Sequence, residues 1–164
     1  VLQEASLPWR RALKSLHVAL AGIWMGSAAC LVLMAAPNGD RLGLGVGGAT
    51  ALATRIDDWV LVPAATLVLV TGVLYGLFMR WGFVRVDWVV VKWLGTLGSV
   101  AFGAFFLGPW IETMAARSAE LGALAYTDAS FEAARLRVFS FGLTQIFVLA
   151  ALVAVSIYRP WGRR

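Results

Sequence analysis

Apolar residues run almost unbroken through four stretches of the chain, 13–34, 59–79, 88–110 and 138–158, while charges collect between and beyond them. A helix crossing a bilayer needs about 20 predominantly apolar residues. The pattern therefore predicts an all-α polytopic membrane protein: an antiparallel bundle of four transmembrane helices forming a single domain over 1–164, with both termini on one side. A soluble four-helix domain is excluded by composition, because 60% hydrophobic against 14% charged residues leaves too little polar surface to cover it. The mean hydropathy of +0.80 says the same.

Charge sets the expected orientation. Arg10, Arg11 and Lys14 open the first span, Arg80 and Arg85 lie between the second and third, and Arg159, Arg163 and Arg164 follow the fourth, opposed on that side by Glu4 and Asp87. By the positive-inside rule both termini are cytoplasmic. Six of the eight tryptophans fit this frame, with Trp9, Trp81, Trp88 and Trp161 at the inner boundary and Trp59 and Trp110 at the outer one. The net charge of +5 is dispersed over both faces, so it matches an anionic inner leaflet and excludes nucleic acid as a partner. The first segment reads as a permanent span rather than a cleaved signal peptide.

The connections differ in character. Residues 35–58 begin with the turn signal Pro37-Asn38-Gly39-Asp40 and pass through a glycine-rich run, Gly43 to Gly48. That run lacks the lysine-serine or lysine-threonine ending of a phosphate loop, and a short helix is expected over 49–56. The inner connection, 80–87, is short enough to force the second and third helices into an antiparallel pair. The outer segment 111–136 is either an interfacial helix or an extension of the third and fourth spans.

Small residues predict the packing faces. Gly22-x-x-x-Gly26, Gly72-x-x-x-Gly76 and the row Gly95, Ser99, Gly103 allow backbones to approach closely within the bundle or across a homodimer. Pro63 is expected in the first turn of the second helix. Cys30, the single cysteine, excludes an internal disulfide and multi-cysteine metal sites, and is expected as a buried apolar side chain.

No complete catalytic motif is present, so chemistry must rest on isolated polar residues within the spans. An ionisable side chain in a span is costly and marks a functional hypothesis. His17, the only histidine, and Lys92 are predicted to share the inner membrane layer, with Tyr75 near them and Thr71 a turn deeper. Trp24 stands two turns above His17 on nearly the same face. Gln145, in the outer half, is expected to make an interhelical hydrogen bond. Deeply buried carboxylates are not expected.

The stretch Lys14-Ser15-Leu16-His17-Val18-Ala19-Leu20-Ala21-Gly22-Ile23-Trp24-Met25-Gly26 resembles the first-helix signature of copper-resistance D-like membrane proteins and of small integral membrane families near them. More distantly it is similar to the bacterial membrane protoporphyrinogen oxidase. The second resemblance implies a bacterial inner-membrane location, haem b as cofactor, His17 as its metal ligand, and Lys92, with Trp24 and Tyr75, in the cofactor site. The chain departs from both patterns: 30–36 is wholly apolar where the oxidase carries arginine, and there is no second histidine or methionine cluster to hold copper. The leading functional expectation is a helix-packing, lipid-binding or partner-binding module, with a haem-binding protein or oxidoreductase and a small oligomeric permease as alternatives.

Overall fold

A computed structural model describes residues 7–37, 43–78 and 87–158. Asn38 to Asp40 of the first turn, the body of the inner connection and the C-terminal Trp161 and arginines lie outside these residues. The described chain comprises α1 (Leu7–Ala35), α2 (Gly45–Ile56), a π turn (Asp57–Leu61), α3 (Val62–Phe78), α4 (Asp87–Phe102), a second π turn (Gly103–Leu107), α5 (Gly108–Leu121), a 3-10 turn (Gly122–Thr127) and α6 (Ala129–Tyr158). Four helical rods result, each long and apolar enough to cross a membrane, and no strand occurs among the described residues.

Two of the rods are much longer than a bilayer requires. Gly45–Phe78 has 34 residues and Asp87–Thr127 has 41, so at about 1.5 Å per residue each projects well beyond a hydrocarbon core about 30 Å thick. The glycine-rich connection thus becomes helical from Gly45, earlier than expected, and the segment 111–136 resolves into helix extensions joined by the 3-10 turn. These projections pack into an outer core around Ala35, Val46, Ala53, Ile111, Phe131 and Val138. Hydroxyls of Thr50 and Ser118 join α2 to α5 at 2.7 Å. Gly122, at φ +55°, supplies the left-handed turn that ends α5. Asp128 then starts α6 by accepting the Phe131 amide at 2.9 Å, and its carboxylate pairs with Arg117. Arg135 donates to the Ala36 carbonyl at 3.0 Å, satisfying a group freed at the end of α1.

Both π turns have one local cause. Pro63 and Pro109 each stand two residues beyond such a turn. A proline offers no amide to the carbonyl four residues back and its ring clashes with that oxygen, so the preceding turn widens. Accordingly the amides of Val62 and Gly108 donate to the carbonyls of Asp57 and Gly103, five residues back. Pro63 is therefore not at a helix start: α2 already runs from Gly45, and the proline reshapes the middle of a long rod.

The spanning layer has a modest core of Leu20, Trp24, Ala64, Ala65, Val68 and Leu149. Large apolar side chains elsewhere face outward, among them Leu94 at 69% exposure and Phe105 at 75%, as a bundle solvated by lipid requires. Close packing occurs at Gly95, where a Cβ would lie 2.7 Å from a Leu152 methyl, and at Gly142, where it would lie 2.8 Å from Val32. A Cβ on Gly72 would meet Trp93 at 3.6 Å. Gly22 and Gly26 instead border open space, as would a Cβ there. Cys30 is exposed on the same side of α1, contrary to its expected burial, because the i, i+4, i+8 row carrying these three residues faces away from the other helices.

Candidate functional site

On the side of the chain termini, α3 brings polar groups to His17. The His17 Nδ1 lies 2.7 Å from the Thr71 Oγ1. The Thr71 hydroxyl has one proton, and its positions 2.8 Å from the Leu67 carbonyl and 3.0 Å from that of Val68 direct that proton to its own helix. Oγ1 therefore accepts, Nδ1–H donates, and the Nε2 lone pair is left without a hydrogen bond from any described residue. Tyr75 meets the imidazole edge-on at 5.8 Å between ring centroids. Lys92 lies within electrostatic reach of His17 without a direct bond to it, and Gly72 leaves room for the imidazole beside Trp93.

The expected grouping is therefore divided. His17, Tyr75 and Lys92 share one layer, whereas Trp24 belongs to a second feature, about 10 Å farther along α1 at 1.5 Å per residue. This is an open-sided cavity of about 290 Å³ lined by all four rods. Its lining along α1 runs from Trp24 to Val32, and both π turns contribute, through Asp57, Asp58 and Leu61 on one rod and Gly103, Ala104 and Leu107 on the other. Widened turns displace backbone from the regular helical path, and here they flank the same space.

Trp24 closes the deep end, and Gln145 lines the α6 wall beside Gly103 of the second π turn. Trp24 is 2% exposed and Gln145 7% exposed, yet neither the indole Nε1–H nor the amide Oε1 has a hydrogen-bond partner among the described residues. Gln145 spends its Nε2 on the Ser99 carbonyl, a long bond of 3.3 Å. A buried donor and a buried acceptor thus line one apolar cavity, an arrangement that costs about 1–3 kcal/mol per unsatisfied group unless something fills it.

The opposite end is acidic. Asp57, Asp58 and Glu112 all line the cavity, and the latter two lie within electrostatic reach of Asp57. Trp59, 79% exposed, and Trp110 beside the Arg137 guanidinium stand next to this end, where amphipathic rings belong at a membrane boundary. No family model, curated protein or solved structure matches the chain. The first-helix resemblance therefore rests on its own residues and carries no family membership.

Sequence patterning found the inner group but missed the cavity. Carboxylates at 57, 58 and 112 read as charges of the outer connections, because only the helix extensions reveal that they overhang a space between the rods. The available signal was the pair of prolines, each with an acidic residue and a boundary tryptophan within a few positions. No group of three or more histidine, cysteine or carboxylate side chains able to hold a metal ion occurs among the described residues.

Proposed function

We propose that this four-helix membrane-spanning protein is a binding module for a small amphiphile, held in the cavity by a group that both accepts and donates a hydrogen bond. The unpaired Trp24 Nε1–H and Gln145 Oε1 on the wall of a cavity of about 290 Å³ carry the reading. A hydroxyl is complementary to both kinds of group, accepting from an indole N–H and donating to an amide oxygen, while its apolar body occupies the space between the π turns. On the orientation expected from the basic residues, the cavity serves the non-cytoplasmic leaflet.

The test is equilibrium binding of 4-ethylphenol and of ethylbenzene to the purified full chain in detergent, beside Trp24→Phe and Gln145→Leu. The phenol should bind at least about tenfold more tightly than the hydrocarbon, and each variant should remove most of that preference. Equal binding of the two compounds, or a preference untouched by both substitutions, refutes the reading.

The His17 group favours a second reading, a site for a tetrapyrrole. A ligating imidazole normally donates its other ring N–H to a fixed acceptor, as His17 does to Thr71. Such a group would be held by Nε2 of His17, with the Lys92 ammonium available to a propionate, and would supply electron-transfer chemistry. Absorption spectra before and after dithionite, on the wild type and His17→Ala, test it. A stoichiometric Soret band lost in the variant supports this reading, and a colourless protein that takes up no added haemin overturns it.

A further inference from the structure

We infer that the ligand of the cavity is a cation: a hydroxyl-bearing amine whose ammonium sits among Asp57, Asp58 and Glu112 while its hydroxyl reaches Trp24 and Gln145. The inference rests on the amphiphile reading and adds the charge of the ligand, its orientation and its side of entry. Three carboxylates border one apolar space, and they stand at the end marked by Trp59 and Trp110. A neutral or anionic head at that end would leave the half-buried Asp57 with the like charges of the exposed Asp58 and Glu112 and no counter-charge. A monocation there neutralises part of their repulsion, and the partial desolvation of the site strengthens the attraction.

Acidic side chains alone would not define a ligand. The independent observation is that Gln145, more than nine-tenths buried, offers an unpartnered acceptor to the same space, whose far end holds the unpartnered indole donor of Trp24. The two ends are separated by roughly the length of α1 from Trp24 to Val32, about 12 Å at 1.5 Å per residue. A rigid ring with a hydroxyl on one side and a short alkylammonium arm on the other spans most of that distance. An extended lipid chain would not place polar atoms at both ends. The widened turns matter to this geometry because they set the carboxylate-bearing Asp57 and Asp58 and the small residues Gly103 and Ala104 around the same space.

The experiment is a comparison of tyramine, 4-ethylphenol and 4-hydroxyphenylpropionate, titrated calorimetrically into the full chain in a neutral detergent at low ionic strength. The same series is run on the rim variant Asp57→Asn/Asp58→Asn/Glu112→Gln and on Gln145→Leu, with circular dichroism to show that each is folded. Tyramine should bind about tenfold more tightly than 4-ethylphenol, the factor that a few partly exposed ion pairs supply, and the propionate should bind more weakly than either. That tenfold advantage should vanish in the rim variant and shrink in 0.5 M salt, while Gln145→Leu should weaken tyramine and 4-ethylphenol alike. If 4-ethylphenol binds in a Gln145-dependent way but tyramine gains nothing over it, the cation inference is overturned and the amphiphile reading stands. If neither compound binds the wild type, both fall. Should the rim variant fail to fold, the salt dependence and the order of the three compounds on the wild type decide the question.

Discussion

Gln145→Leu separates stability from function. The amide is 7% exposed, and of its four hydrogen-bonding positions the described residues meet one, through a 3.3 Å bond from Nε2 to the Ser99 carbonyl. Interhelical hydrogen bonds of membrane proteins average about 0.6 kcal/mol, and this long one belongs at or below that value. Against it stands the unsatisfied Oε1, whose burial costs about 1–3 kcal/mol. Leucine occupies nearly the same volume without polar atoms, so the substitution exchanges the larger cost for the smaller gain. Gln145→Leu should therefore stabilise the ligand-free protein by about 1 kcal/mol, the lower part of the range being favoured because unfolded helices in a micelle also find partners for a glutamine. Reversible unfolding in mixed detergent with increasing dodecyl sulfate, followed by circular dichroism, measures the difference. The same variant should lose affinity for 4-ethylphenol. A destabilisation of 1 kcal/mol or more would show that Oε1 is satisfied in the folded protein, and the premise of the binding site would fail.

Close packing gives a second test: Gly142→Ala should be less stable than Gly22→Ala by about 1–3 kcal/mol in the same unfolding assay, since its Cβ would fall 2.8 Å from a stiff β-branched Val32 whereas Gly22 borders open space. Equal stabilities would contradict the assigned α1–α6 contact. Because the chain has one histidine, nitrogen-15 NMR reads its tautomer directly. The wild type should show the Nδ1–H form, and Thr71→Val should raise the Nε2–H population about five- to tenfold, the value of one hydrogen bond; an unchanged ratio would mean that Thr71 does not orient the ring. At the start of α6, the Arg117 guanidinium and then the Phe131 amide hold the Asp128 carboxyl down to about 2, below its ordinary 3.8. A depressed carboxyl stabilises the folded state above its ordinary value and loses that contribution as pH falls through the folded value, so acidification from about pH 4 to 2 should cost the wild type stability that Asp128→Asn has already lost. Parallel pH profiles for the two proteins would refute the coupling.

The sequence by itself determined the medium and the class of fold. Four apolar runs of spanning length need only the cost of placing peptide groups and charges in hydrocarbon to become helices, and that cost is local. It also marked His17, Tyr75 and Lys92, since counting turns from a boundary estimates depth without knowing neighbours. What it left open depends on which helix faces which. Small-residue spacing pointed equally to Gly22–Gly26 and to Gly95, yet Gly95 and Gly142 meet a partner and Gly22 and Gly26 do not, because a stripe of glycines carries no information about the helix opposite. Pro63 falls in the first turn of an apolar run that begins at Trp59; the helix nevertheless extends back through Asp57 and Asp58 because α2 and α5 bury a shared apolar core beyond the bilayer. Only that tertiary continuation sets two π turns around one space. It places three carboxylates at one end of that space, an unpaired indole at the other and an unpaired amide on the α6 wall, an arrangement made by side chains up to 121 positions apart, Trp24 and Gln145.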